Sequence, residues 1–293
     1  MTHLVAIGFG YTARRLARLL SPEGWQVTGT SRTAGGVQDI EKAGYRGALF
    51  SGEAGDVTAE LTAAIEGATH LLVSAPPAAA GDPVLAALGD RLAALKSLRW
   101  AGYFSTVGVY GDTGGGWVDE TTPAQPTGER GQRRLAAETA WLAWGAKCHK
   151  PVTCLRLPGI YGPGRSPLER VRGPKARRII KAGQVFNRIH VDDIAGAVRH
   201  IMTLTDAAAH HAINVTDDLP AAPQDVLVHA AGLLGIDPPP EVPFDEADLS
   251  PMARSFYREN KRVSNDLLTR ELGYDLLYPT YREGLAALLS EAD

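Results

Sequence analysis

Leu4-Val5-Ala6-Ile7-Gly8-Phe9-Gly10-Tyr11-Thr12-Ala13 is the stretch on which the fold turns. Four apolar residues predict a buried strand, and the glycines after them predict a sharp turn. The run from Thr12 to Leu20 predicts an amphipathic helix, because Ala13, Leu16, Ala17 and Leu20 recur at helical spacing while Arg14, Arg15 and Arg18 fall elsewhere. Strand, glycine turn and helix in that order open a dinucleotide-binding βαβ unit. Gly8 permits the turn, Gly10 lets the backbone approach a pyrophosphate at the helix N-terminus, and Ala13, where a third glycine is usual, still allows close helix-strand packing. Phe9, Tyr11 and Thr12 complete the expected phosphate-binding turn.

The rhythm continues outward. Strands are expected at Gln26 to Thr30, Arg46 to Phe50, Leu71 to Ser74, Gly102 to Ser105 and Val152 to Leu157. Helices are expected near Val37 to Ala43, Thr58 to Ile65, Pro83 to Leu98 and Arg130 to Ala146. This alternation predicts an α/β fold, a doubly wound Rossmann-type parallel sheet with a smaller C-terminal substrate lobe. After Leu157, glycine and proline recur from Pro158 to Arg165 and predict a loop rather than a strand. We therefore place an NADP-binding domain at 1–160, completed by 189–216, and a substrate lobe at 161–188 and 217–293. A strand-helix unit is expected at Arg188 to Leu204, a strand at Ala212 to Val215, and helices at Ser264 to Glu271 and Tyr281 to Leu289.

The second strand ends at Thr30-Ser31-Arg32-Thr33, without the acidic residue that accepts hydrogen bonds from an adenosine ribose in NAD-binding folds. Arg32, with Ser31 and Thr33, offers a cation and hydroxyls to a 2′-phosphate, so NADP(H) is expected in preference to NAD(H). Two segments compete for adenine, Phe50-Ser51-Gly52 and Gly55-Asp56-Val57. Ser74, Ala75 and Pro76 end the fourth strand, where ligands of open α/β sheets bind.

With these residues the chain resembles the NAD-dependent epimerase/dehydratase family of short-chain dehydrogenases/reductases, and more narrowly its atypical members of unassigned activity. The glycine turn, Phe104-Ser105-Thr106-Val107-Gly108-Val109-Tyr110-Gly111-Asp112, Leu155 to Gly164 and Arg188-Ile189-His190-Val191-Asp192-Asp193-Ile194-Ala195 carry the resemblance. It implies that Thr106 orients the reacting oxygen, beside Ser105. It also implies a Tyr-x-x-x-Lys pair on the next helix, one turn apart and on one face. Glu138 anchors that helix in register and puts Arg134 at the lysine place and Arg130 at the tyrosine place. Arginine holds a ribose hydroxyl or an oxyanion but does not shuttle a proton. Arg134 is thus an expected cofactor contact and Arg130 an oxyanion or phosphate clamp. The proton donor is open among Tyr110, Tyr161, Asp119 and Glu120, with Tyr110 set beside Thr106 and Arg130 as the catalytic candidates. Pro158, with Gly159 and Ile160, is expected at the nicotinamide end. Glycine at 159, where nucleotide-sugar members carry Asn, speaks against a sugar nucleotide. Asp192 reads as an N-cap.

Between Arg165 and Arg188 stand eight basic residues against one acid, Glu169, in a chain of net charge -3. That contrast argues for a small anionic ligand. Tyr161, Arg165, Arg254 and Lys261 are the expected substrate contacts. Phe186 is the one aromatic in the stretch, which disfavours nucleic acid. His210-His211 has no partner at ligand spacing, so no metal is expected. Cys148 and Cys154 read as a reduced pair. The N-terminal apolar run is too short for a membrane span, and a cytoplasmic protein is expected, with a homodimer left open. The leading expectation is an NADP-dependent oxidoreductase or epimerase-like enzyme on a small hydroxyl- or carbonyl-bearing anion. A non-catalytic NADP(H)-binding regulatory or redox-sensing protein is the alternative.

Overall fold

Short apolar runs that alternate with helices can bury both faces only by pairing in parallel and taking helices on either side. The computed structural model describes residues 2–53, 57–204 and 210–291. Its first half runs β1 (His3–Ile7), α1 (Tyr11–Leu20), β2 (Gln26–Ser31), α2 (Ala34–Lys42), β3 (Arg46–Leu49), α3 (Ala59–Glu66), β4 (His70–Val73), α4 (Pro83–Ala94), β5 (Trp100–Thr106), β6 (Trp117–Val118) and α5 (Glu129–Cys148). The second half runs β7 (Val152–Leu157), β8 (Gly159–Tyr161), α6 (Pro167–Arg172), β9 (Arg178–Ile180), β10 (Arg188–His190), α7 (Val191–Thr203), β11 (Ala212–Asn214), α8 (Pro223–Leu233), β12 (Glu241–Pro243), α9 (Pro251–Phe256), β13 (Arg262–Val263) and α10 (Tyr281–Ser290).

A seven-stranded parallel sheet has the order β11-β7-β5-β4-β1-β2-β3. Strand order reverses at β1, with β2 on one side and β4 on the other, and such a switch point opens a crevice at the carboxyl ends of the strands. Every residue of β1 and β4 is buried. The expected doubly wound α/β sheet is thus the fold observed.

The chain divides into two compact units. The first comprises Met1–Thr106, Gln132–Arg156 and Ile194–Ile213; its core joins Val5, Ile7, Leu71 and Val73 of the sheet to Leu61, Leu88 and Trp141 of the covering helices. The second comprises Val107–Gly131, Leu157–Asp193 and Asn214–Asp293. Its core packs Tyr161, Leu168, Leu227, Tyr281 and Leu285 together. This division departs from the expected boundaries at 107–131, which belong to the second unit because β6 pairs there with β13. The loop expected after Leu157 contains β8, whose three residues pair in parallel with β10. The segment 264–271 forms a single π turn, Leu267–Glu271, rather than a full helix. Both cysteines are free thiols. Among the described residues no helix is long and apolar enough to cross a membrane.

At the amino ends of the strands lies a buried polar cluster. His3 Nε2 sits 2.9 Å from Thr28 Oγ1, His70 Nδ1 sits 2.9 Å from Thr69 Oγ1, and the Trp25 ring lies 4.8 Å from that of His70. Burial first, and then the charge of Arg99, push the His70 pKa down to about 4. The native state therefore holds a neutral imidazole that the unfolded chain protonates near pH 6.5. Its stabilising contribution is complete above that pH and disappears as pH falls toward 4. Between pH 7 and pH 4, wild-type unfolding free energy should drop by roughly 3 kcal/mol more than that of His70→Phe. Denaturant melts across that window check this, and parallel pH profiles would contradict it.

Candidate functional site

The turn after β1 is built by close approach. Gly8 has φ 91°, and a β-carbon there would lie 3.0 Å from the Ala75 nitrogen and 3.2 Å from the Ser74 carbonyl carbon. Both Ser74 and Ala75 donate their N–H to the Ile7 carbonyl, at 2.8 and 3.1 Å. Gly8 N–H donates to Thr30 Oγ1 at 2.9 Å, and Phe9 N–H to the Thr30 carbonyl at 3.0 Å. The ends of β1, β2 and β4 are thus tied into one corner. Phe9 serves it from below: its ring is buried, lies 5.3 Å edge-on from Tyr45, and occupies the space where a Gly29 β-carbon would stand. As a ligand contact Phe9 therefore has only its backbone to offer.

Gly10 is the N-cap of α1 and supplies no side-chain cap. The first N–H groups of a helix have no intrahelical acceptor and favour an anion. Tyr11 opens the helix, half-buried, and Thr12 is buried. Pro76 is exposed in the loop after β4.

At the end of β2, Thr33 caps α2 by accepting from Gly36 N–H at 3.2 Å, and Ser31 Oγ accepts from Thr33 N–H at 3.3 Å. Each hydroxyl keeps its proton to donate. Arg32 stands between them, exposed, with no hydrogen bond or ion pair among the described residues. Phe50 is buried and its N–H donates to the Ser31 carbonyl at 2.8 Å. Of the competing adenine segment, Gly55 and Asp56 lie outside the described residues.

Thr106 ends β5 half-buried, behind a buried Ser105. Arg134 donates to the Phe104 carbonyl at 2.6 Å and to the Tyr103 hydroxyl at 3.2 Å, with its guanidinium 5.6 Å from the Tyr103 ring centre. Burial holds the Tyr103 hydroxyl protonated well above its ordinary range, and Arg134 is the chief opposing influence. Arg134 is thus anchored on β5 within the first unit, while Arg130 stands exposed in the first turn of α5 and falls in the second.

Several expected site residues are engaged elsewhere. Tyr110 is buried and its hydroxyl donates to Asn214 Oδ1 at 2.8 Å; Glu120 Oε1 accepts from Asn214 N–H at 2.7 Å. Asp119 is held below the usual carboxylate range, first by the Thr121 hydroxyl, in an exposed turn. Tyr161 is buried against Gly284, 5.1 Å from the His190 ring, with its hydroxyl 3.4 Å from the Thr280 carbonyl. We therefore withdraw Tyr110 as proton donor and Tyr161 as substrate contact, since both are packed and hydrogen-bonded internally. Lys261 is likewise buried and pairs with Glu259 at 2.6 Å. Arg254 donates to the Ala247 carbonyl at 2.9 Å and lies 4.9 Å over the Phe244 ring. Both hold the fold of the second unit, which corrects their reading as ligand contacts. Arg165 is exposed in a turn bridged to Gly162. Pro158 is half-buried, and the N–H of Gly159 next to it is taken by the Asn187 carbonyl at 3.2 Å.

Asp192 is not an N-cap: α7 begins at Val191, and His190 Nδ1 accepts from Asp192 N–H at 3.2 Å. Asp193, at the junction of β10 and α7, braces the fold. Fully buried, it accepts from Leu277 N–H at 2.6 Å, Tyr278 N–H at 3.1 Å and the Tyr274 hydroxyl at 3.3 Å. Among the described residues no three His, Cys, Asp or Glu side chains gather as metal ligands.

Comparison with known proteins bears on this arrangement. The NAD dependent epimerase/dehydratase family matches residues 4–216. The chain belongs to that family. Protein YeeZ of Escherichia coli (strain K12) is 28% identical over 292 residues, covering 95% of this chain and 97% of the relative. A solved structure of a functionally unknown conserved protein from Silicibacter pomeroyi DSS is 49% identical, covers 100% of both chains and superposes with a TM-score of 0.89. The dTDP-glucose 4,6-dehydratase of Bacillus anthracis str. Ames, solved in complex with NAD, is 16% identical with a TM-score of 0.80 over 99% of this chain and 96% of that one. At that identity the likeness is one of fold.

Within this family member the corner at Gly8 and Gly29 makes a direct prediction. Because Phe9 fills the Gly29 space, Gly29→Ala should cost about 1–3 kcal/mol by overpacking. A β-carbon at Gly29 would also lie 2.7 Å from the Phe9 β-carbon, so only in Gly29→Ala/Phe9→Gly does the new methyl enter vacated space, and that double variant should lose less than the sum of the single losses. Chemical denaturation of the four proteins checks this, and strict additivity would contradict the packing.

Proposed function

We propose that the chain binds NADP(H), less readily NAD(H), and acts as an oxidoreductase or epimerase-like enzyme on a small hydroxyl- or carbonyl-bearing anion. The observation that carries the reading is the corner at the end of β1: an α1 N-terminus without a side-chain cap behind a glycine turn for the pyrophosphate, with an exposed Arg32 at the end of β2 whose side chain has no partner among the described residues. A bound nicotinamide would supply hydride transfer. Gly10, Tyr11 and Thr12 hold the pyrophosphate through backbone N–H groups, and Ser31, Arg32 and Thr33 hold the 2′-phosphate. Arg134, anchored on β5, steadies the ribose end, and Pro158 is assigned to the nicotinamide end. Ser74, Ala75 and Pro76 form the crevice wall. The proposed setting is cytoplasmic, with a small anionic molecule as partner; the net charge of -3 gives no general attraction to nucleic acid or to an anionic membrane.

Thr106 orients the reacting oxygen and Arg130 stabilises charge developing on it. Neither moves a proton in the manner of a tyrosine, so proton exchange passes to solvent or to a group on the substrate. A second reading, a cofactor-binding protein without turnover, is favoured by one specific observation: arginines occupy both places where the family carries its Tyr-x-x-x-Lys pair, and Tyr110 and Glu120 are committed to Asn214.

Two measurements test these readings. Fluorescence titration should show NADPH binding more tightly than NADH, and Arg32→Ala should weaken NADPH about 10- to 100-fold with little effect on NADH, the worth of a charged phosphate contact. Equal affinities in the wild type would contradict the assignment of Arg32. In a screen of small hydroxy and keto anions with NADPH, Thr106→Val and Arg130→Gln should each lower turnover on the order of a hundredfold while NADPH affinity stays unchanged. Full activity in both variants would move the site elsewhere, and tight NADPH binding without turnover of any substrate would favour the second reading.

A further inference from the structure

The fold sorts the eight cations crowded between Arg165 and Arg188. Arg178 donates to the Pro239 carbonyl at 2.7 Å and pairs with Glu241 at 3.0 Å. Lys181 is held by the Tyr257 carbonyl, and Arg188 donates to the carbonyls of Phe186 and Ala221 at 2.9 and 3.1 Å. These three hold the second unit together. Arg170, Lys175 and Arg177 instead line one cleft of about 730 Å³, where α6 ends and the chain leads into β9.

The side chains of Arg170 and Lys175 are exposed and make no hydrogen bond or ion pair among the described residues. Arg177 donates one Nη2 to the Asp248 carbonyl, which fixes its guanidinium at the wall and leaves its other donors available. Ile179 and Leu249 supply apolar lining. Both belong to the packed cluster of Ala247, Tyr257, Phe186 and Phe244, so this surface is set by the core of the unit. Asp248 is the one acidic residue of the lining.

Three cations against one carboxylate concentrate positive potential in a concave setting. Arginine forks match phosphate oxygens, and a phosphate dianion with three terminal oxygens engages three separated cations where a carboxylate has only two oxygens to give. We propose that this cleft is a binding site for a phosphate monoester, with Arg170, Lys175 and Arg177 on the phosphate and the organic part on Ile179 and Leu249. The site lies within the second unit, so it stands whether or not the chain turns over a substrate. It also reassigns the anion recognition expected of the whole basic stretch, Arg165 included, to three of its members.

The test is calorimetric titration of the full chain with phenyl phosphate, inorganic phosphate and benzoate at constant ionic strength. Phenyl phosphate should bind saturably at one site and more tightly than the other two. Arg170→Gln/Lys175→Gln and the single Lys175→Glu should each weaken it at least about tenfold through lost charged contacts, and Asp248→Asn should tighten it. NADPH titration run in parallel should be unaffected, because none of these residues belongs to the cofactor corner. Both cationic positions are exposed, and unchanged circular dichroism melts would show the variants folded. Unaltered phenyl phosphate affinity in both cationic variants would overturn the site. Phenyl phosphate binding no tighter than inorganic phosphate would mark an adventitious ion only, and benzoate binding equally well would overturn the phosphate assignment. Loss of NADPH binding in the wild type, with phenyl phosphate still bound, would count against the proposed cofactor and not against this cleft.

Discussion

The architecture depends on one close approach, the end of β1 against the end of β4. The carbonyl of Ile7 takes two donors, from Ser74 and Ala75, while Gly8 passes 3.0 Å, as an imagined β-carbon would measure it, from the Ala75 nitrogen. Only a residue without a side chain, at positive φ, turns the chain there. Had the turn been wider, α1 could not start at the switch point, and Phe9 could not fill the space left by Gly29. Sheet order, helix placement and the anion-favouring corner all follow from that contact.

The first unit was largely legible because its elements are long and periodic. Apolar runs at β1, β4 and β7 and the helical spacing of Ala13, Leu16, Ala17 and Leu20 state both the element type and its buried face. Errors fell where tertiary pairing overrides local preference. Gly159–Tyr161 reads as a loop, yet it pairs with β10 because Gly159 N–H finds the Asn187 carbonyl. The segment 107–131 joins the second unit through β6 and β13, two residues each, too short for any periodic signal.

Of the candidate site, the conformation of the glycine turn could be read directly, since backbone conformation is a local property, and the exposure of Arg32 at the end of β2 agrees with the absence of an acid there. The roles of Tyr110, Tyr161, Arg254 and Lys261 could not. Each is a polar side chain whose partner lies far along the chain, such as Tyr110 with Asn214 or Tyr161 with Thr280, and burial decided them. The same sorting divided the basic stretch into cations that brace the fold and cations that face a cleft. The resemblance to the family, anchored at Glu138, puts arginines at the places of its tyrosine and lysine. An arginine side chain stabilises negative charge but does not shuttle a proton.

The central claim, that the corner at the end of β1 receives a dinucleotide carrying a 2′-phosphate, is tested most directly by a crystal structure of the chain grown with saturating NADPH. The account predicts pyrophosphate oxygens within about 3 Å of the backbone N–H groups at the start of α1 and the 2′-phosphate against the Arg32 guanidinium. A cofactor bound with its pyrophosphate away from Gly10, Tyr11 and Thr12, or no bound cofactor at saturating concentration, would contradict it.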